Sequence, residues 1–324
     1  MSLPPRQPPL PWHPEASARS SWTLADLRAA RWTEHPQNPL IQPPPRSPLL
    51  ADPTFLAPGE TPDERWHLYA HSIFGLHHHV SDDGVVWTRQ PGVVTTRALR
   101  PFLFRDQGRY HLLYEKTRWM QPWLPWRSHL EIRSSSDLRV WSEPQILLRP
   151  CLPGHHQGDG AAVGGPCVIR AEGRYRLYYG GGQAPLEGRD ARVPWAVGAA
   201  EASALTGPWR PLAEPLLRPA TPAQRAGALT VLPVADGYAG FQPVTDVDAQ
   251  GTAAIRLLLS ADGLGWEALP TLVRLSAGWS AGRLGALDVR PVGDTLRLYV
   301  SARAGAGGRE AVGLVLGTRA ASAV

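Results

Sequence analysis

The sequence predicts an all-β fold, a five-bladed β-propeller whose ring is closed by an N-terminal strand that completes the last blade. Three observations predict it. A turn of the form Ser-x-Asp-x-x-x-Trp recurs at Ser81–Trp87, Ser135–Trp141 and Ser260–Trp266, with an aspartate-free variant, "SALTGPW", at Ser203–Trp209. Before three of the turns lie segments that alternate apolar and polar residues at the strand period, separated by tight-turn chemistry. The whole unit repeats over roughly fifty residues, the length of one four-stranded blade.

The elements follow in chain order. Residues 1–30 read as a Pro-rich arm, and residues 31–318 as the propeller. "RWTEHPQNPLI" (Arg31–Ile41) reads as an outer strand, with Trp32 in the tryptophan position. Blade one spans about 52–94: "DPTFLAP", "WHLYAHS", "LHHHV", the Ser81–Trp87 turn, then "TRQPGVV". Blade two spans about 97–149, where "RDQGR" makes the tight turn between its first two strands. Blade three, about 162–217, uses "RAEGR" in the same way. Blade four covers about 227–273. The fifth, about 285–317, runs out one strand short, and residues 31–42 supply the missing strand. Closing the ring in this way leaves no open seam between first and last blades. The aspartate and serine of each repeated turn are suited to hold turn amides, and the tryptophan to pack between blades. The motif therefore reports architecture and carries no chemistry. It resembles the Asp-box turn of sialidase-type propellers.

Composition bounds the function. The chain has 324 residues with 32 glycines and 34 prolines, which favours many turns over long helices. Its formal charge is +5, but the basic residues are scattered, almost all arginine, with Lys116 the single lysine. Without a positive stripe, nucleic-acid binding is not expected. Cys151 and Cys167 are too few for a disulfide framework and are expected to be reduced thiols. No apolar leader or membrane span is visible, so a cytoplasmic location is expected, with no membrane partner. Adjacent strand histidines point apart and no ligand cluster has metal spacing, so neither metal nor cofactor is expected.

Strand direction sorts the loops onto two faces. The first-to-second and third-to-fourth turns are short and share one face. The second-to-third loops and the blade connections share the other, and these are long and chemically rich. Function concentrates on loops held by a rigid scaffold, so this mouth is the candidate site. It offers Trp119, Trp123 and Trp126, either as platforms for sugar rings or as packing against a neighbouring blade, and His71, His77, His155 and His156 as partners for hydroxyls.

Five blades, an Asp-Pro opening blade one (Asp52-Pro53) and "GPW" closing blade three (Gly207–Trp209) resemble the five-bladed glycosidase propellers. These are glycoside hydrolase families 43, 62, 32, 68, 117 and 130, and the likeness spans about Arg31 to Gly317. It implies a carbohydrate or glycoside partner at the mouth. In family 43 three acids start the innermost strands of blades one to three and serve as general base, pKa modulator and general acid. Carried over, these positions fall on Asp52, Arg100 and Gly165; only the first holds a carboxyl. Glycoside cleavage uses two carboxyls. With Asp52 as base or nucleophile, the expected acid is Glu115 or Asp159. Glu115 has a second reading as counter-ion to Arg97 or Arg100, and Asp159 as a solvated turn residue. Phosphorolysis, which family 130 implies, would draw on Arg97 and Arg100 for phosphate. The rival to hydrolysis is a non-catalytic carbohydrate-binding propeller; a third reading is a pure interaction scaffold.

Overall fold

The computed structural model describes residues 20–118, 126–150, 162–185, 192–218, 228–244, 254–275, 278–305 and 307–320. A helix, α1 (Leu24–Ala29), precedes strand β1 (Arg31–Glu34). Blade one holds β2 (Ala51–Leu56), β3 (Trp66–Ser72), β4 (Gly75–Ser81) and β5 (Thr88–Arg89). Blade two holds β6 (Ala98–Asp106), β7 (Arg109–Thr117), β8 (Ser128–Ser135) and β9 (Gln145–Leu148). Blade three holds β10 (Val163–Ala171), β11 (Arg174–Pro185), β12 (Arg192–Ala202) and β13 (Arg210–Pro211). Blade four holds β14 (Thr230–Val234), β15 (Gly237–Val244), β16 (Ala254–Ser260) and β17 (Glu267–Arg274). Blade five holds β18 (Arg283–Val292), β19 (Thr295–Arg303) and β20 (Glu310–Thr318), with β1 as its fourth strand.

All five sheets are antiparallel and four-stranded, so the chain is a five-bladed propeller. The first strand of each blade touches the first strands of both neighbours, which places β2, β6, β10, β14 and β18 around the axis. Closure is by backbone pairing of β1 on β20, from Arg31 opposite Thr318 to Glu34 opposite Val315. The outer strands of blades one and three pair over only two residues each. In blade one Pro91 and Gly92 break the run "TRQPGVV" that reads as a full strand in the sequence.

Apolar side chains fill the wedges between blades, since each sheet buries both faces. Strands β3 and β4 are buried at every position, histidines included. Buried polar groups need partners. His67 lies 2.9 Å from His78 through Nδ1 and Nε2, and 2.8 Å from Asp63 through its other nitrogen. His78 also stacks on Tyr69, ring centres 4.5 Å apart.

The repeated turn is built as its chemistry suggests. Asp83 Oδ1 accepts the amides of Val85 and Val86 at 2.8 Å, and Ser81 Oγ accepts that of Gly84. Asp137 and Asp262 repeat the pattern. Each tryptophan then meets an aromatic ring of the preceding blade edge-on: Trp87 on Tyr299, Trp141 on Tyr69, Trp266 on Tyr178, Trp32 on Phe241. The three tyrosines do more. Their hydroxyls donate across the blade boundary to Gly84 O, Leu138 O and Gly263 O, one carbonyl in each aspartate turn. Facing blade three, whose turn has no aspartate, Tyr114 instead donates to Glu131 within its own blade.

Residues 20–29, grouped with the Pro-rich arm on composition, are packed on the ring. Thr23 caps α1 in a reciprocal capping box with Asp26, and Trp22 and Leu27 are buried against blades four and five. Cys167 is a buried free thiol, pushed up to about 12 by burial; Cys151 lies outside the described residues.

Candidate functional site

The innermost strands of blades one, two and three share an irregularity at their mouth ends. Pairing with the second strand shifts register between Ala51 and Thr54, Leu99 and Phe102, and Gly164 and Cys167. At each shift one residue takes a left-handed backbone: Asp52 (φ 53°), Arg100 (φ 47°) and Gly165 (φ 58°). Each precedes a proline, a context that favours extended backbone instead. Glycine adopts this conformation freely. For Asp52 and Arg100 it costs about 1–3 kcal/mol each. The bulge lifts these residues out of the ladder, and Asp52, Arg100 and Gly165 together line a recess at the axis.

That recess is small, about 30 Å³, with a wall of Pro53, Pro101 and Pro166. It has room for a hydroxyl or a water, so a sugar ring would lie across it. Asp52 is 13 % exposed, with Oδ2 3.0 Å from His71 Nδ1 in a close contact that is poorly aligned for a hydrogen bond. Its amide donates to Ser301 Oγ at 3.3 Å. Arg100 donates through Nη1 to Glu115 Oε2. The other oxygen of Glu115 accepts from Trp126 Nε1 at 2.7 Å, and the side chain is wholly buried. Gly164 makes room for it, because a Cβ there would fall 1.8 Å from Glu115 Oε2. Burial opposes the charge on Arg100. The carboxylates of Glu115 and Asp52, with a smaller share from Glu310, nevertheless hold its pKa above the ordinary arginine value.

The structure thus brings Asp52, His71, Arg100, Glu115 and Trp126 into one assembly and realises the ion pair between Glu115 and Arg100. Trp126 is half-buried and its indole nitrogen is spent on Glu115, so it braces the site. Arg97 is exposed on the rim of blade two, donating to Arg118 O at 3.2 Å. His77, expected to reach sugar hydroxyls, is only 3 % exposed and lies 2.7 Å from Ser72 Oγ inside the blade. Strand period places it on a face, and both faces of this sheet are covered. Trp119, Trp123, His155, His156 and Asp159 lie outside the described residues.

One carboxylate of this site escapes sequence reasoning. Glu310 starts β20 at the mouth, 8 % exposed, its Oε1 so close to Gly285 that a Cβ there would sit 2.3 Å away. The available signal is its position just after the glycine-rich stretch "AGAGG" (304–308) and Arg309, on the mouth side of blade five. Asp288, by contrast, is structural: its Oδ2 accepts from Thr54 Oγ1 at 2.8 Å and from the Phe55 amide, tying β18 to β2.

The opposite end of the axis opens into a larger cavity, about 450 Å³, lined in part by Asp106, Arg170, Asp288 and Arg290. These charges answer one another, Arg170 with Asp106 and Arg290 with Asp288 and Glu60. The mouth, with its backbone strain and its long loops, is the better candidate. Among the described residues no cluster of His, Cys, Asp and Glu could hold a metal ion, and no helix is long and apolar enough to cross a membrane.

No known family profile matches this sequence, and no characterised protein matches it in sequence. Solved structures do match in fold. A family 117 glycoside hydrolase of the marine bacterium Zobellia galactanivorans is similar over 89% of this chain and 90% of its own, with a TM-score of 0.57 and 15% identity. An α-L-arabinofuranosidase of Podospora anserina, solved with cellotriose, is similar over 90% of this chain and 98% of its own, TM-score 0.62 and 13% identity. A family 43 endo-arabinanase of Bacillus licheniformis is similar over 82% and 92%, TM-score 0.57 and 15% identity. The chain has the architecture of the five-bladed glycosidase propellers.

Proposed function

We propose that this chain recognises a carbohydrate at the mouth of the propeller, using a glycosidase-type ring as a binding platform. The observation that carries the reading is the strained pair Asp52 and Arg100, held before prolines in left-handed backbone and lining the axial recess. Strain of this kind persists where the surroundings over-determine it, and it concentrates at ligand sites. A carboxylate and a guanidinium side by side suit vicinal sugar hydroxyls, one accepting and the other donating. The similar structures named above are glycoside hydrolases, one of them holding an oligosaccharide, which supports a carbohydrate as the ligand class.

Binding is favoured over hydrolysis by what stands at the acid position. Gly165 has no side chain. Glu115 is wholly buried, with one oxygen engaged by Arg100 and the other by Trp126, so it is poorly placed to reach a glycosidic oxygen. Hydrolysis by Asp52 with a second carboxyl is the second reading, favoured by Glu310, whose charge is felt at Arg100 beside Asp52. The first experiment is a calorimetric titration with arabino-, xylo- and gluco-oligosaccharides. Binding to at least one, weakened about tenfold or more in Asp52→Ala, is expected for loss of a charged hydrogen bond. No binding by any carbohydrate, or unchanged affinity in Asp52→Ala, refutes the assignment.

A further inference from the structure

Radially outward from Arg100, the mouth ends of all four strands of blade two frame a cleft of about 480 Å³. Its size is that of a ligand site. Five of its lining residues are cationic, Arg97, Lys116, Arg118, Arg127 and Arg149, against one carboxylate, Glu131. That carboxylate is already engaged, accepting from Tyr114 Oη at 2.7 Å and lying 3.0 Å from His129 Nε2. Arg97, Arg127 and Arg149 are exposed and pair with no carboxylate among the described residues. Elsewhere on the ring several arginines answer acids, as Arg65 does Asp82 and Arg176 does Glu201. Here the cations face each other.

We infer that this cleft is an anion subsite, so that the carbohydrate taken at the mouth carries sulfate or carboxylate groups. The inference rests on the carbohydrate reading above and extends it to the class of sugar. Burial pulls the pKa of Lys116 below the ordinary lysine value; Glu131 opposes this, and the neighbouring Arg97 and Arg133 add to it. Guanidinium forks match the paired oxygens of a sulfate or uronate, and in a concave site their fields add. The cleft and the recess share blade two, whose Arg100 and Pro101 form part of the recess wall. Arg97 precedes Arg100 by three residues, and Lys116 follows Glu115 on β7. Three inter-strand steps of about 4.8 Å carry it roughly 14 Å out from the axial strand, the reach of an oligosaccharide. A polynucleotide is disfavoured because the positive charge is confined to one blade and makes no stripe across the ring.

The test titrates the whole chain with a sulfated galactan hexasaccharide, the same hexasaccharide desulfated, a hexagalacturonate, inorganic sulfate and a single-stranded DNA of matched charge. The sulfated or uronate chain is expected to bind about tenfold or more tighter than the neutral one, with the advantage shrinking as salt rises. The preferred group identifies the anion. The double variant Arg127→Ser/Arg149→Ser, both exposed positions, is expected to lose roughly ten- to a hundredfold affinity for the charged chain and none for the neutral one. Equal affinity for charged and neutral chains, an unaffected double variant, displacement by equimolar inorganic sulfate, or tighter binding of the DNA would each overturn the subsite. If the neutral chain alone binds, and Asp52→Ala abolishes it, the anion subsite fails while the carbohydrate reading survives. If no sugar binds, both fail.

Discussion

Replacing Arg100 by methionine tests the electrostatic frame of the mouth. The guanidinium is the charged partner of Glu115, which is wholly buried and which also accepts a hydrogen bond from Trp126. Removing one member of a buried pair leaves the other as an uncompensated charge, a loss of about 3–5 kcal/mol. Methionine keeps a Cβ, so the cost of the φ 47° backbone at residue 100 remains and offsets none of the loss. Adding Glu115→Gln removes the stranded charge, and the double variant is expected to recover at least half of the loss, about 1.5–2.5 kcal/mol or more. The assay is urea denaturation followed by tryptophan fluorescence, with the slope checked for constancy so that the midpoint reports stability. A loss below about 1 kcal/mol for Arg100→Met, within the range of an exposed ion pair, or a double variant as unstable as the sum of the singles, would refute a buried ion pair at this position.

Deleting residues 1–42 removes β1 and four buried or half-buried anchors, Trp22, Leu27, Trp32 and Ile41. At about 1.5–3 kcal/mol each this approaches the whole stability of a domain, so no soluble folded truncate is expected; one with an unchanged melting temperature contradicts ring closure. Tyr69→Phe cuts the hydrogen bond to Leu138 O and is expected to cost about 1 kcal/mol; a neutral effect would show the inter-blade contact to be incidental. His78 and His79 are held neutral by burial, each with its pKa lowered to about 3. Because the unfolded histidines protonate below about pH 6.5 while the folded ones do not, stability is full above that pH and falls as pH drops toward 3. At pH 5 each contributes a loss of about 2 kcal/mol. His79→Leu should flatten this slope between pH 6.5 and 5, and a wild-type stability that is flat over that window would contradict it.

The legible parts of this protein are those encoded locally. Ser, Asp and Trp at fixed offsets are turn chemistry complete within seven residues, so the blades can be counted from them. Trp32 betrays the closing strand for the same reason. Helix α1 is not legible, because six residues in a Pro-rich context fold only by burying Trp22 and Leu27 on distant blades. The site divides in the same way. Asp52 and Arg100 are found through the resemblance to the glycosidase propellers, whose first two acid positions fall on them. The Glu115–Arg100 pair is open to expectation because β6 and β7 are hairpin neighbours. Glu310 is hidden because only ring closure brings blade five beside residue 52. His77 misleads because a period of two distinguishes faces but not a covered face from an open one.

Carbohydrate held at the mouth is expected to stay uncleaved. The most direct measurement incubates the protein at high concentration with whichever oligosaccharide it binds, and follows both complex formation and the release of new reducing ends over a day. Saturable binding that depends on Asp52, with no release above that of buffer, is the predicted result. Release of sugar by the wild type that disappears in Asp52→Asn, with binding kept, would contradict it and establish a glycosidase acting through Asp52.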